Sequence, residues 1–242
     1  MSDEEQGGAV DGRVTARQLN VPRTTDGQWA ALRATRDGSL IYLPWYQALV
    51  LEGRVHEAFG AGSQVTTSTT GTVALADATD ADSDLFVDVP AGLALIPLEV
   101  RFSTQVTSPT ISANVAIKWW AFLSDTLNGL GGSETTVTVR PLNRAAPSPS
   151  GATAAQVASG EADHVTGGEV HLFKDVTEFD MDGAVGKGMD NNRYWSARRT
   201  GVTPVGLDGS SLNLVLLTPD VDDTTTVWTQ SIWAEVAQNN IT

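Results

Sequence analysis

Few side chains in this sequence could do chemistry. The histidines are His56, His164 and His171, and there is no cysteine, which excludes thiolate nucleophiles, thiolate metal sites and disulfides. A metal centre of two or three histidines would draw on nearly all of them. Glu169-x-His171 sets two ligand types on one face of a strand, but no second histidine stands beside them. Two Asp-rich stretches offer the oxygen ligands that calcium prefers: Asp175, Glu178, Asp180 and Asp182 in DVTEFDMDG, and Asp77, Asp80, Asp82 and Asp84 in DATDADSD. Neither carries the closing bidentate Glu of an EF-hand loop, so solvated acidic loops explain them better than calcium ligation does. A glycosidase pair of carboxylates is compatible with the same residues, with nothing in the sequence to favour it. The G-x-S-x-G elbow, the phosphate-binding Walker loop, H-E-x-x-H and the dinucleotide-binding glycine triplet are all missing. The sequence therefore reads as a non-enzyme with no catalytic residue and no required cofactor.

Composition narrows the partners. The 242 residues carry a formal charge of −14, made of 19 Asp and 10 Glu against 12 Arg and 3 Lys. Such a surface repels nucleic acid. At molar salt the Debye length falls to about 3 Å, so crowded carboxylates cease to repel one another. The Asp-rich, Lys-poor usage points to a halophilic source; a high-GC genome gives a similar bias. No run approaches the roughly 20 apolar residues that span a bilayer, and the acidic start MSDEEQGG is unlike a signal peptide.

The elements that would position these residues are mostly strands. Residues 1–60 read as an N-terminal arm, acidic at its tip and then basic, with six arginines against four carboxylates from Gly12 to Gly60. Arg13, Arg17 and Arg23 are its candidates for facing a membrane or a neighbouring subunit; pairing with the acidic body is an equal alternative. Within the arm, LIYLPWYQALVLEGRV (40–55) predicts a short helix begun by Pro44 and ended by Gly53. Residues 61–242 form the main domain after a Gly/Ser/Thr linker. Eight runs rich in Val, Ile, Thr and aromatics are bounded by turn residues: Thr72–Ala76, Leu85–Val89, Leu93–Phe102, Ala113–Phe122, Thr135–Arg140, Glu169–Phe173, Leu212–Leu217 and Val227–Val236. Eight is the strand number of a jelly roll. Residues 141–168 and 180–208 read as long loops, where contacts with other molecules concentrate.

Alternation along two of these runs assigns their faces. In Ala113–Phe122 the set Val115, Ile117, Trp119 and Ala121 faces the core and leaves Trp120 on the outer side. In Val227–Val236 the set Trp228, Ile232, Ala234 and Val236 takes the core and leaves Trp233 outside. Exposed tryptophans make patches that monomers avoid, so Trp120 and Trp233, with Trp45 of the helix, become candidates for a subunit interface; cover from within the chain is the even alternative.

The phrases RATRDGSLIYLPWYQALVLEGRV (33–55) and DLFVDVPAGLALIPLEVRF (84–102), the second with its strand, Val-Pro-Ala-Gly turn and Ile96-Pro97-Leu98 strand, resemble virion structural proteins. With the acidic, lysine-poor composition and the mass of 25.5 kDa, the chain is similar to the major capsid proteins of icosahedral, membrane-containing haloarchaeal viruses. That resemblance implies a mainly β chain, a single upright jelly-roll β-sandwich with an N-terminal arm and short helix. It also implies location in the virion, assembly with itself and a second capsid protein, an internal viral membrane beneath, and no catalytic residues. A second reading is a receptor- or carbohydrate-binding β-sandwich of a viral spike or tail, with Trp120, Trp195 or Trp233 stacking on sugars.

Overall fold

The computed structural model describes residues 44–60, 83, 85–107, 115–127, 134–145, 147–157, 168–179, 189–217 and 224–240. These form a mainly β protein of two antiparallel sheets. In chain order the elements are helix α1 (Trp45–Leu51), β1 (Val55–Gly60), β2 (Leu85–Asp88), β3 (Leu93–Thr107), β4 (Val115–Ser124), β5 (Glu134–Val137), β6 (Val139–Pro141), β7 (Thr153–Val157), β8 (Val170–Phe179), β9 (Met189–Ser196), helix α2 (Ala197–Thr200), β10 (Ser211–Leu217) and β11 (Thr224–Ala237), closed by a 3-10 turn at Gln238–Asn240.

One sheet runs β6-β1-β11-β3-β9 and the other β5-β7-β2-β10-β4-β8. With β5, β6 and β7 set aside as an insertion between β4 and β8, each remaining strand pairs with its mirror image in sequence. β1 pairs with β11, β2 with β10, β3 with β9 and β4 with β8, all antiparallel. The chain is thus a long hairpin of paired strands wound so that β11 also meets β3 and β10 also meets β4.

The core lies between the sheets. Ala58, Val100, Phe102, Trp195 and Trp233 from one sheet meet Leu85, Val87, Trp119, Ala121, Leu123, Leu212 and Leu214 from the other. The rings of Phe102 and Trp119 meet edge to face at 5.8 Å, a favoured aromatic geometry. A second cluster on the far side of the five-stranded sheet joins Val55, Leu98 and Ala234 to Tyr46, Leu49 and Val50 of α1. Seven residues are too few for a stable helix in water, so this docking holds α1 in place. Gly53, at φ 73°, supplies the left-handed turn that lets the chain leave α1 and enter β1.

Several expectations need correction. Residues 55–60, assigned to the arm, are β1, seated between β11 and β6 inside a sheet. The stretch 141–168 contains β7, and 180–208 contains β9 and α2, so neither is a loop throughout. The described residues hold eleven strands where eight were expected. Thr72–Ala76 lies outside the described residues.

Candidate functional site

Trp120 and Trp233, expected at a subunit interface, are both buried by the chain itself, at 2% and 0% exposure. Trp233 sits in the core between the sheets, because the faces of β11 are the reverse of those its alternation suggests. Ile232 and Ala234 lie instead on the α1 side, where Ala234 belongs to the cluster under that helix. The register shift between Ile232 and Trp233 leaves Leu98 of β3 as the extra residue, while β11 itself alternates without a break. Trp120 does lie on the outer side of its sheet, in a cluster with Phe122 and Val215. The Lys174 ammonium stands 4.1 Å from its ring centroid, a cation–π contact. Trp195 is buried in the core too, so none of the three tryptophans once considered for sugar stacking is accessible. Trp45 alone among the interface candidates is exposed, at 49%. Arg13, Arg17 and Arg23 lie outside the described residues.

Two of the four acidic residues weighed as calcium ligands, and held less suited to it than to a solvated loop, are described. Asp175 and Glu178 are in strand β8, not in a loop, and their odd spacing sets the two positions on opposite faces. Asp175 Oδ2 accepts from Arg193 Nε at 2.6 Å, and Oδ1 from the Val176 N–H. Arg193 in turn holds its guanidinium 5.6 Å from the Trp119 ring, so the aspartate serves to fix a packing arginine. Asp180 and Asp182 lie outside the described residues. Among the described residues no three His, Asp or Glu side chains gather as metal ligands. Glu169 and His171 do meet, Oε2 to Nε2 at 3.4 Å, as two partners rather than a site.

One cluster carries the residue types of a hydrolytic triad. Glu235 is buried and accepts hydrogen bonds from Ser150 Oγ, the Gly151 N–H at 2.8 Å, the Ala152 N–H at 3.4 Å and Trp233 Nε1 at 2.9 Å. His56 Nε2 lies 3.9 Å from its other side. The carboxylate therefore stands between the serine and the histidine, and the histidine cannot take the serine's proton. Burial lowers the His56 pKa below its usual 6.5, while the Glu235 charge opposes that shift. The arrangement is a clamp: it ties the connection before β7 to the end of β11. No local pattern signals it, since Ser150 and Glu235 are far apart along the chain.

The surface that stands out is one end of the sandwich. The strand registers bring α1, the turn at 89–92, residues 125–127, 142–151 and 168–170, and the α2 segment 197–210 to the same end. Nine large apolar residues are exposed among the described ones, and seven of them are here: Trp45, Leu51, Leu127, Val170, Val202, Val205 and Leu207. Val202 is the extreme, at 76% exposure. Thr203 Oγ1 donates to the Pro97 carbonyl at 2.7 Å and Gly206 bridges to Leu95, so the segment is pinned to β3 and not loose. Among the described residues the charges at this end cancel, with Arg54, Arg144, Arg198 and Arg199 against Glu52, Asp125, Glu169 and Asp208. In a chain of net −14 this end is the unusual part.

Compared with known proteins, the chain matches no family model and no curated protein sequence.

Proposed function

We propose that this chain is a virion structural protein, a major capsid subunit that assembles with itself and with a second capsid protein into an icosahedral shell over an internal membrane. The observation that carries the reading is the charge-balanced end with seven exposed apolar side chains on an otherwise acidic body. Monomers avoid such patches, and rigid ones are characteristic of surfaces that another molecule covers. A second copy is the natural occupant, because the described residues of this end carry no net negative charge to hold two acidic bodies apart. At molar salt the remaining repulsion is screened within about 3 Å, which permits acidic subunits to crowd.

The strand order supports a single jelly roll. Mirror-image pairing of eight strands, wound into two sheets, is the two-Greek-key arrangement found in viral capsid and lectin domains. On this reading β5, β6 and β7 are an insertion, and the chain needs no catalytic residue or cofactor, because its work is repeated burial of the same surfaces.

Light scattering and electron microscopy of the purified chain, from low salt to molar salt, test the proposal. Rings or shells that form as salt rises are expected. A well-folded monomer throughout, both alone and in a lysate of the source particles, overturns it.

A further inference from the structure

The two exposed apolar residues that are not at the apolar end share a second place. Phe59 of β1 and Tyr194 of β9 are 47% and 42% exposed and fall in one cross-strand row on the outer face of the five-stranded sheet. The registers read Phe59↔Gln230, Gln230↔Arg101 and Arg101↔Tyr194, so the two rings flank an amide and a guanidinium. Three strand spacings separate them, about 14 Å at roughly 4.8 Å per strand. Trp228, Ser103 and Asn192 line the same depression one step along the sheet. Its volume is about 680 Å³, within the range of small-molecule sites. A second, more polar hollow of about 270 Å³ adjoins it, sharing Phe59 and lined further by Glu57, Thr135, Thr136 and Gln156.

We infer that this depression is a binding site for a short neutral oligosaccharide, with Phe59 and Tyr194 as stacking platforms and Gln230 and Arg101 as the hydrogen-bonding floor. Sugar rings present apolar C–H faces and a rim of hydroxyls, which calls for aromatic faces with planar polar groups between them. The polar groups are already oriented. Gln230 Nε2 donates to Glu57 Oε2 at 3.2 Å, which turns its carbonyl oxygen to serve as an acceptor. Arg101 pairs with Glu99 and lies 5.3 Å from the Tyr194 ring centroid, and Tyr194 donates its hydroxyl hydrogen to Glu99 at 3.0 Å. The ring is thereby held at both its face and its edge, which reduces the ordering cost of binding. Both arginines that line the depression are paired, Arg101 with Glu99 and Arg193 with Asp175, and Glu57 adds a further carboxylate beside Gln230, so an anionic ligand is disfavoured and a neutral one fits. Strands about 14 Å apart suit a chain of several sugar units better than one. The inference stands apart from the assembly reading, since it uses a different face and different residues.

The test is titration calorimetry of the full chain at molar salt with neutral tri- to hexasaccharides built on glucose, mannose and N-acetylglucosamine. At least one of these series is expected to bind, more tightly as the chain lengthens. Tyr194→Ala and Phe59→Ala should each weaken that binding by about tenfold, the loss of one stacking contact. Tyr194→Phe should retain most of it, and Val202→Asp at the apolar end should leave it unchanged. Both aromatic positions are half exposed, so the variants are expected to fold, and near-ultraviolet dichroism checks that they do. Absence of binding to all three series overturns the inference, as does binding that Tyr194→Ala leaves intact. So does the finding that Tyr194→Ala abolishes self-association instead, which would make the depression a subunit contact.

Discussion

Replacing Glu235 with alanine should cost more stability than any other single truncation of a polar side chain in this protein. The carboxylate receives two well-formed bonds, from the Gly151 N–H at 2.8 Å and Trp233 Nε1 at 2.9 Å. It also receives a longer one from the Ala152 N–H at 3.4 Å and one from the Ser150 hydroxyl. The hydroxyl can turn elsewhere, but the amide and the indole cannot. A buried donor left without an acceptor costs about 1–3 kcal/mol, so two of them set the loss at roughly 3–5 kcal/mol. For a protein of this size that is a fall in Tm of roughly 10 °C. Glu235→Gln keeps one acceptor oxygen at the same place and should lose about half as much. Urea unfolding at fixed molar salt, followed by tryptophan fluorescence, measures both. A loss below about 1 kcal/mol for Glu235→Ala would refute the reasoning, because the hydration given up by the carboxylate would then match what its four bonds return.

Two further outcomes follow from the packing. His56 is 1% exposed and its pKa is held below 6.5 by burial, so the unfolded chain binds the proton more readily than the folded one. Its contribution is therefore complete above about pH 6.5 and declines as pH falls through that value, and a urea midpoint series from pH 8 to 5 should show the decline, reduced in His56→Gln. Trp120→Ala should cost about 3–5 kcal/mol as a core truncation does, whereas Lys174→Ala should cost about 1 kcal/mol or less, the cation–π contact alone. Equal losses at the two positions, read from the same unfolding curves, would mean that the lysine and not the ring burial stabilises that face.

The fold class was legible because β3, β4, β10 and β11 carry dense β-branched and aromatic runs between turn residues. Strands β1, β7 and β9 were not. VHEAFG, TAAQV and MDNNRYWS contain Gly, Ala, Asp and Asn, which are depleted in strands; β1 and β7 are held by neighbours on both sides and β9, at the sheet edge, by β3. Alternation placed Trp119 correctly in β4. It failed in β11 because both faces of that strand are covered, one by the opposing sheet and the other by α1. The polar residues Thr229, Ser231 and Glu235 thus share the core side with Trp233, where Glu235 bonds the indole. Neither surface feature could be read from the chain. Phe59 and Tyr194 are 135 positions apart and become neighbours in one row only through the pairings β1–β11, β11–β3 and β3–β9. The apolar end likewise draws two residues from α1, one from the stretch after β4, one from the start of β8 and three from the segment after α2, which only the strand pairing brings to one end.

The absence of cysteine makes one measurement especially direct. A single cysteine placed at Val202, the most exposed large apolar residue of this end, can be joined to its counterpart or to a neighbour by a short bismaleimide, with Thr135→Cys on β5 as the control. If subunits associate through this end, Val202→Cys should cross-link into dimers and larger species as salt is raised to molar concentrations, while Thr135→Cys stays monomeric. Cross-linking that is equally slow at both positions at every salt concentration, in protein that remains folded, would contradict the account.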